Sequence, residues 1–113
     1  FTDDFRAQNP AMMDKVRGWV LGNNAATYPD YYRIFALGID QIVAPNPPIS
    51  CPALVMTGDE DYGNGPEMAL AIAAEIAGAQ TLILSGLHHM ALMQDPDQTT
   101  APLLAFLNKV LHD

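Results

Sequence analysis

Two short apolar runs constrain this chain more than any other feature. Residues 53–56 (ALVM) and 81–84 (TLIL) show no alternation, and the first is bounded by Pro52 and Gly58. Unbroken runs of this length read as strands buried on both faces, as a parallel sheet requires. Between them Asn64-Gly65-Pro66 opens a helix. EMALAIAAEIAGA continues it, with Ala69, Ile72, Ala73 and Ile76 as the inner stripe and Gly78 as the stop. Strand, helix, strand in this order implies a right-handed βαβ unit with parallel strands. A last helix is expected over residues 102–111, with Pro102 in its first turn and Leu103, Phe106, Leu107 and Val110 inward. The fold class is α/β. Two parallel strands do not make a stable sheet alone. Burying each aliphatic side chain is worth about 1.5–3 kcal/mol, and an unpaired strand edge invites association. The sheet within these residues is therefore expected to be incomplete. Either the chain assembles with more sheet, or it is a fragment of something larger.

Residues 1–48 read differently, as helices and a linker. Asn9-Pro10 offers an N-cap followed by proline at the first helical position. Met12, Met13, Val16, Trp19 and Val20 then recur at helical spacing, and Gly22 is a terminator. Tyr28-Pro29-Asp30 starts a second helix, with Tyr32, Phe35 and Ile39 along one face and Gly38 interrupting. Ala44-Pro45-Asn46-Pro47-Pro48 cannot continue a helix and is a hinge or linker. The opening FTDDFRAQNP has no basic n-region and no apolar h-region, so it does not read as a signal peptide. It also lacks an initiator Met, which leads to the expectation of a processed or truncated piece.

Charge and composition exclude several classes of function. The chain has 113 residues, half of them apolar, which suits one small globular domain. With 13 acidic against 5 basic residues the formal charge is −8. That argues against a nucleic-acid partner and against an anionic membrane surface. No apolar run approaches the ~18 residues of a membrane span. A single cysteine, Cys51, rules out an internal disulfide framework and fits a reducing compartment, so a cytoplasmic location is expected. Cys51 precedes Pro52 at a strand entrance and is expected to be a small buried hydrophobe. No metal and no cofactor are expected, since there is no H-E-x-x-H, no cysteine ligand set and no Gly-rich phosphate loop.

The remaining signal is GLHHMALMQDP, residues 86–96. With ISCPALVMTGDEDYGNGP before the middle helix, GAQTLILSGLHHMAL after it, and a later DP and LLAFL, residues 49–107 resemble the C-terminal third of an α/β-hydrolase. Within that family they resemble the 3-oxoadipate enol-lactonase group. The resemblance implies that 1–48 is the end of a helical cap plus a Pro-rich linker, and that 49–113 is the C-terminal part of the hydrolase core. It implies that Gly58-Asp59-Glu60-Asp61 supplies the G-x-x-D pattern, with Asp61 as catalytic acid, and that His89 is the catalytic base. Gln94 stands where an acidic residue is common. The implied activity is hydrolysis of a small ester or enol-lactone.

The chemistry suits the residue types. A neutral imidazole near pKa ~6.5 can take a proton from a serine hydroxyl and return it to the leaving group. A carboxylate on the other ring nitrogen fixes the tautomer and steadies the imidazolium. Both residues are expected on loops at the C-terminal ends of parallel strands, where open α/β sheets place their ligands. His88 is expected to be a neighbour without a proton-transfer role. Asp59 and Glu60 compete with Asp61 as the acid, or the triplet is a solvated turn. Met12, Met13, Trp19, Tyr31, Tyr32 and Phe35 are candidates for an acyl pocket, or plain core.

One element of the pattern is missing. The family nucleophile sits in a G-x-S-x-G elbow that precedes the acid and the histidine. Ser50 and Ser85 are the two serines here, and neither is flanked by glycines. The serine and the oxyanion hole are therefore expected outside these residues, and the isolated chain is expected to be inactive. The expected partners are a small-molecule ester or lactone and either an N-terminal hydrolase half or a second copy of the chain. A non-catalytic module that self-associates through its sheet edge is the alternative.

Overall fold

The computed structural model describes residues 1–112; Asp113, the last residue of the 49–113 unit, lies outside the described residues. Two strands, β1 (Leu54–Gly58) and β2 (Gln80–Leu84), form a two-stranded parallel sheet. Their register runs from Leu54 opposite Gln80 to Gly58 opposite Leu84. The crossover between them is α4 (Pro66–Ala74), with Pro66 at its start, and it packs across both strands. The α/β expectation and the parallel βαβ unit are thus observed.

Burial is thinner than a two-sided parallel strand implies. Leu54, Val55, Met56 and Thr57 are only half-buried. The apolar core consists of Ala69, Ile76, Leu84 and Leu87, beside the buried Gly58 and Thr99. Ile72, expected inward, shares the Ala69 face but is exposed, because it borders an open cavity and the two strands do not reach far enough to cover it. Cys51 is exposed as well. It lies three residues ahead of β1, outside the ladder that would have covered it.

The last helix, α6, spans Pro96–His112 and starts six residues before the expected Pro102. The reason is local. Asp95 accepts a hydrogen bond from the Gln98 N–H through its side chain (2.9 Å), which caps the helix ahead of Pro96. Pro102 falls inside the helix. Leu103 and Phe106 are half-buried, whereas Leu107 and Val110 are exposed. A short turn, α5 (Ala91–Gln94), precedes α6.

Three helices occupy the N-terminal part: α1 (Asp3–Gln8), α2 (Pro10–Leu21) and α3 (Tyr28–Gly38), the last running into a 3₁₀ turn over Ile39–Gln41. The starts at Pro10 and Tyr28 and the stop at Gly22 agree with the sequence reading, whereas Gly38, expected to interrupt a helix running on to Ile39, is the last residue of α3. Asn9 does not cap α2 through its side chain. Its Nδ2 donates to Phe5 O (2.9 Å), closing α1 instead. α1, α2 and α3 contain no buried residue. Their aromatic and aliphatic side chains, Tyr31, Tyr32, Ile34, Phe35 and Leu37 among them, face outward. The radius of gyration, 16.6 Å, exceeds the roughly 13 Å expected of a compact chain of this size. The N-terminal helices therefore add little to the core. No helix among the described residues is long and apolar enough to cross a membrane.

Gly58 sets the closest approach in the fold. A Cβ placed there would lie 1.9 Å from Leu87 O and 2.5 Å from Leu87 C. Backbone cannot yield to that clash. Gly58→Ala is expected to destabilise the chain by at least about 2 kcal/mol, read from thermal melting by circular dichroism. Gly18, inside α2, has nothing within 4 Å of its hypothetical Cβ. Gly18→Ala is expected to change stability by less than about 1 kcal/mol.

Candidate active site

The ends of β1 and β2 lie side by side, so the loops that leave them run together. Backbone hydrogen bonds stitch them: Asp59 N–H donates to Leu84 O (2.9 Å) and Glu60 N–H to Leu87 O (3.1 Å). Asp59 adds a side-chain contact, accepting from the Gly86 N–H (2.7 Å). Gly86 has φ +71°, a left-handed turn that glycine adopts without strain. It turns the chain just ahead of the histidine pair.

Asp61 begins an Asx turn. One carboxylate oxygen, Oδ1, accepts from the N–H groups of Gly63 (2.9 Å) and Asn64 (3.0 Å). Thr57 Oγ1 donates to Asn64 O (2.6 Å) and ties the turn back to β1. The other oxygen, Oδ2, is left for His89, whose Nδ1 lies 2.9 Å away. The Asp61 side chain is only 6% exposed, and that of His89 is 65% exposed.

Burial pushes the Asp61 carboxyl up, but the Asn64 N–H, the His89 ring and the Gly63 N–H together hold it below its ordinary 3.8. Asp61 is therefore ionised at neutral pH and can only accept. The proton between it and His89 therefore belongs on Nδ1, and Nε2 points away from the acid. Nε2 has no hydrogen-bond partner among the described residues.

His88 and His89 take different partners. His88 Nε2 lies 3.1 Å from Glu60 Oε2, and the Tyr62 ring meets it edge-on at 5.3 Å. Glu60 and Asp59 are therefore engaged elsewhere, and Asp61 alone of the three acids reaches His89. A cavity of about 650 Å³ opens beside the pair, lined by Met56, Asp61, Met68, His89, Leu92 and Met93 among others. None of Met12, Met13, Trp19, Tyr31, Tyr32 and Phe35 lines it. The expected acyl pocket is therefore not formed by these side chains at this cavity. The sequence reading missed the Asn64 and Gly63 amides. An Asp followed by Gly two residues on is the turn signature that points to them.

Comparison with known proteins bears on what this pair serves. No family model matches the chain, and no solved structure matches it. Over 95 residues, 83% of the chain, it is 30% identical to the (E)-2-((N-methylformamido)methylene)succinate hydrolase of Acinetobacter baylyi (strain ATCC 33305 / BD413 / ADP1). The similarity supports a hydrolase relationship. The chain spans about a third of that relative's length, 36% of it.

The depressed carboxyl of Asp61 makes a prediction with a definite sign. A group whose folded value is lowered contributes stability that is present above its unfolded value, about 3.9. That contribution is lost as pH falls through the folded value. The Asp61–His89 contact is expected to persist from neutral pH down to about 4 and to fail below Asp61's ordinary 3.8. Carboxyl carbon NMR of Asp61 measures this directly. A midpoint at or above 3.8 contradicts the geometry.

Proposed function

We propose that this chain supplies the acid and the base of a serine hydrolase of the α/β-hydrolase family. Asp61 is the orienting acid and His89 the general base. The observation that carries this reading is the 2.9 Å contact from His89 Nδ1 to a buried, ionised Asp61, with Nε2 unengaged among the described residues. The hydrolase relationship supports it. Under this reading residues 1–48 are the end of a cap, and 49–113 the end of the core.

The chemistry follows from the roles. His89 Nε2 takes the proton of a serine hydroxyl as that oxygen attacks a carbonyl carbon, and the ring becomes an imidazolium held by Asp61. The imidazolium then returns the proton to the leaving oxygen, and an acyl-enzyme remains. In the second half His89 activates water in the same way. The serine and the N–H donors that hold the oxyanion come from a segment outside these 113 residues, since neither Ser50 nor Ser85 stands in an elbow. The substrate class is a small carboxylic ester or enol-lactone. No cofactor is needed for this reaction.

One observation favours a second reading. β1 pairs only with β2, so its other edge carries unpaired backbone groups among the described residues. Self-association through that edge would satisfy them without any catalysis.

Kinetics of the longer protein that the first reading requires separate the two readings. Asp61→Asn keeps the shape but presents an amide donor to Nδ1, which favours the wrong tautomer. It is expected to lower kcat about 10⁴-fold with little change in KM. His89→Ala is expected to cost at least as much, and His88→Gln less than about tenfold. Unchanged turnover in His89→Ala would remove the catalytic assignment.

A further inference from the structure

The three acids at 59–61 each hold a different group on the facing loop, and the assignment follows from a change of register. Within the sheet, partners stand 26 residues apart in sequence, from Leu54 with Gln80 to Gly58 with Leu84. At the site they stand 28 apart: Glu60 meets His88 and Asp61 meets His89. Ser85 and Gly86 make the difference, looping out where Gly86 turns at φ +71°. Continued at the offset of the sheet, His89 would face Gly63, which has no acid to offer. The last backbone bond between the two loops is Glu60 N–H to Leu87 O (3.1 Å). Beyond it, among the described residues, only side chains hydrogen-bond the acid loop to the histidine loop.

Of the two histidines, the one nearer the sheet is the better packed. The His88 side chain is 18% exposed, against 65% for His89. The Tyr62 ring covers it edge-on, with centroids 5.3 Å apart. Its Nε2 lies 3.1 Å from Glu60 Oε2. A carboxylate oxygen only accepts, so the ring N–H donates, and it does so in the neutral Nε2–H ring and in the imidazolium alike. A packed ring therefore sits one peptide before the exposed ring that faces Asp61. Without its tie to Glu60, the Asp61–His89 contact would be the only hydrogen bond between the two loops beyond Leu87 among the described residues.

We propose that Glu60 and His88 are a positioning pair for His89: their contact locks the two loops at the 28-residue offset and so keeps His89 against Asp61. Neither residue exchanges a proton with substrate. Glu60 is 53% exposed, so the pair contributes little to stability and its removal leaves the chain folded. The significance of this lock for turnover rests on the proposed hydrolase reading. The lock itself does not.

Two measurements test the lock. The first is proton cross-relaxation between the Asp61 β-protons and the His89 ring in the full chain, which reports distance and neither protonation nor turnover. It is expected in the unmodified chain, lost in Glu60→Ala, and kept in Glu60→Gln, whose carbonyl oxygen still accepts from His88. Persistence in Glu60→Ala overturns the proposal, and so does loss in Glu60→Gln or absence from the unmodified chain. The second is kinetics of the longer protein that the hydrolase reading requires. His88→Ala is expected to lower kcat about 10²-fold with KM changed less than about threefold. His88→Gln keeps an N–H donor and is expected to restore turnover to within about tenfold. Glu60→Ala is expected to cost as much as His88→Ala, and the double variant no more than either, because both cut one contact. Losses that multiply in the double variant overturn the proposal, and so does a His88→Ala loss no greater than that of His88→Gln. Should His88→Ala fail to fold, Glu60→Ala cuts the same contact from its exposed end and is read in the same way. Failure of the hydrolase reading would appear as unchanged turnover in His89→Ala and would leave the cross-relaxation as it is.

Discussion

The parallel ladder ends with Gly58 opposite Leu84, and everything at the site depends on that register. Two loops leave the same end of the sheet within van der Waals reach, and there is no room for a side chain between them. Leu87 O occupies the space a Cβ would need at position 58. A one-residue slip would carry Asp61 away from His89 and turn every strand side chain to the other face. The Asx turn at Asp61 and the left-handed turn at Gly86 then act as local adjustments on a separation already set by the backbone.

Most of the order was legible because each strand is a short unbroken apolar run between breakers, and α2, α3, α4 and α6 each carry proline near their start, whereas α1 and α5 have none and were not foreseen. Asp61 and His89 were legible through their place in that order, supported by a family resemblance. Their contact was not, since it depends on the parallel register. Helix α6 was misread because Pro102 looks like a first-turn proline, while the Asp95-Pro96 pair is the stronger start once the Asp95 cap is seen. Burial was overestimated for a different reason. An apolar pattern records what a residue is suited to touch. Ile72, Leu107, Val110 and Cys51 are exposed because these residues offer too little sheet to cover them. Gln94 was legible only as a departure from the acidic residue common at its place, because its bonds to residues 2, 86 and 88 are visible only after folding.

Thin burial and the partial span of the hydrolase relative point in one direction. An apolar core of Ala69, Ile76, Leu84 and Leu87 is small, while α2 and α3 turn many large apolar side chains outward. Exposed apolar surface on this scale is uncommon on a monomeric protein. Under the proposed reading it is covered by the remainder of a longer hydrolase, which also supplies the serine. Asp61 and His89 are brought together by the register of β1 and β2 within this chain, so their contact does not wait for that remainder.

The most direct measurement is the intact mass of the protein from its native source, taken before and after reaction with a fluorophosphonate. The account predicts a mass more than double the 12.2 kDa of these residues, with a single adduct on a serine outside them. A native mass of 12.2 kDa without an adduct would contradict it. His89 and Asp61 would then be a hydrogen-bonded pair with no nucleophile to serve.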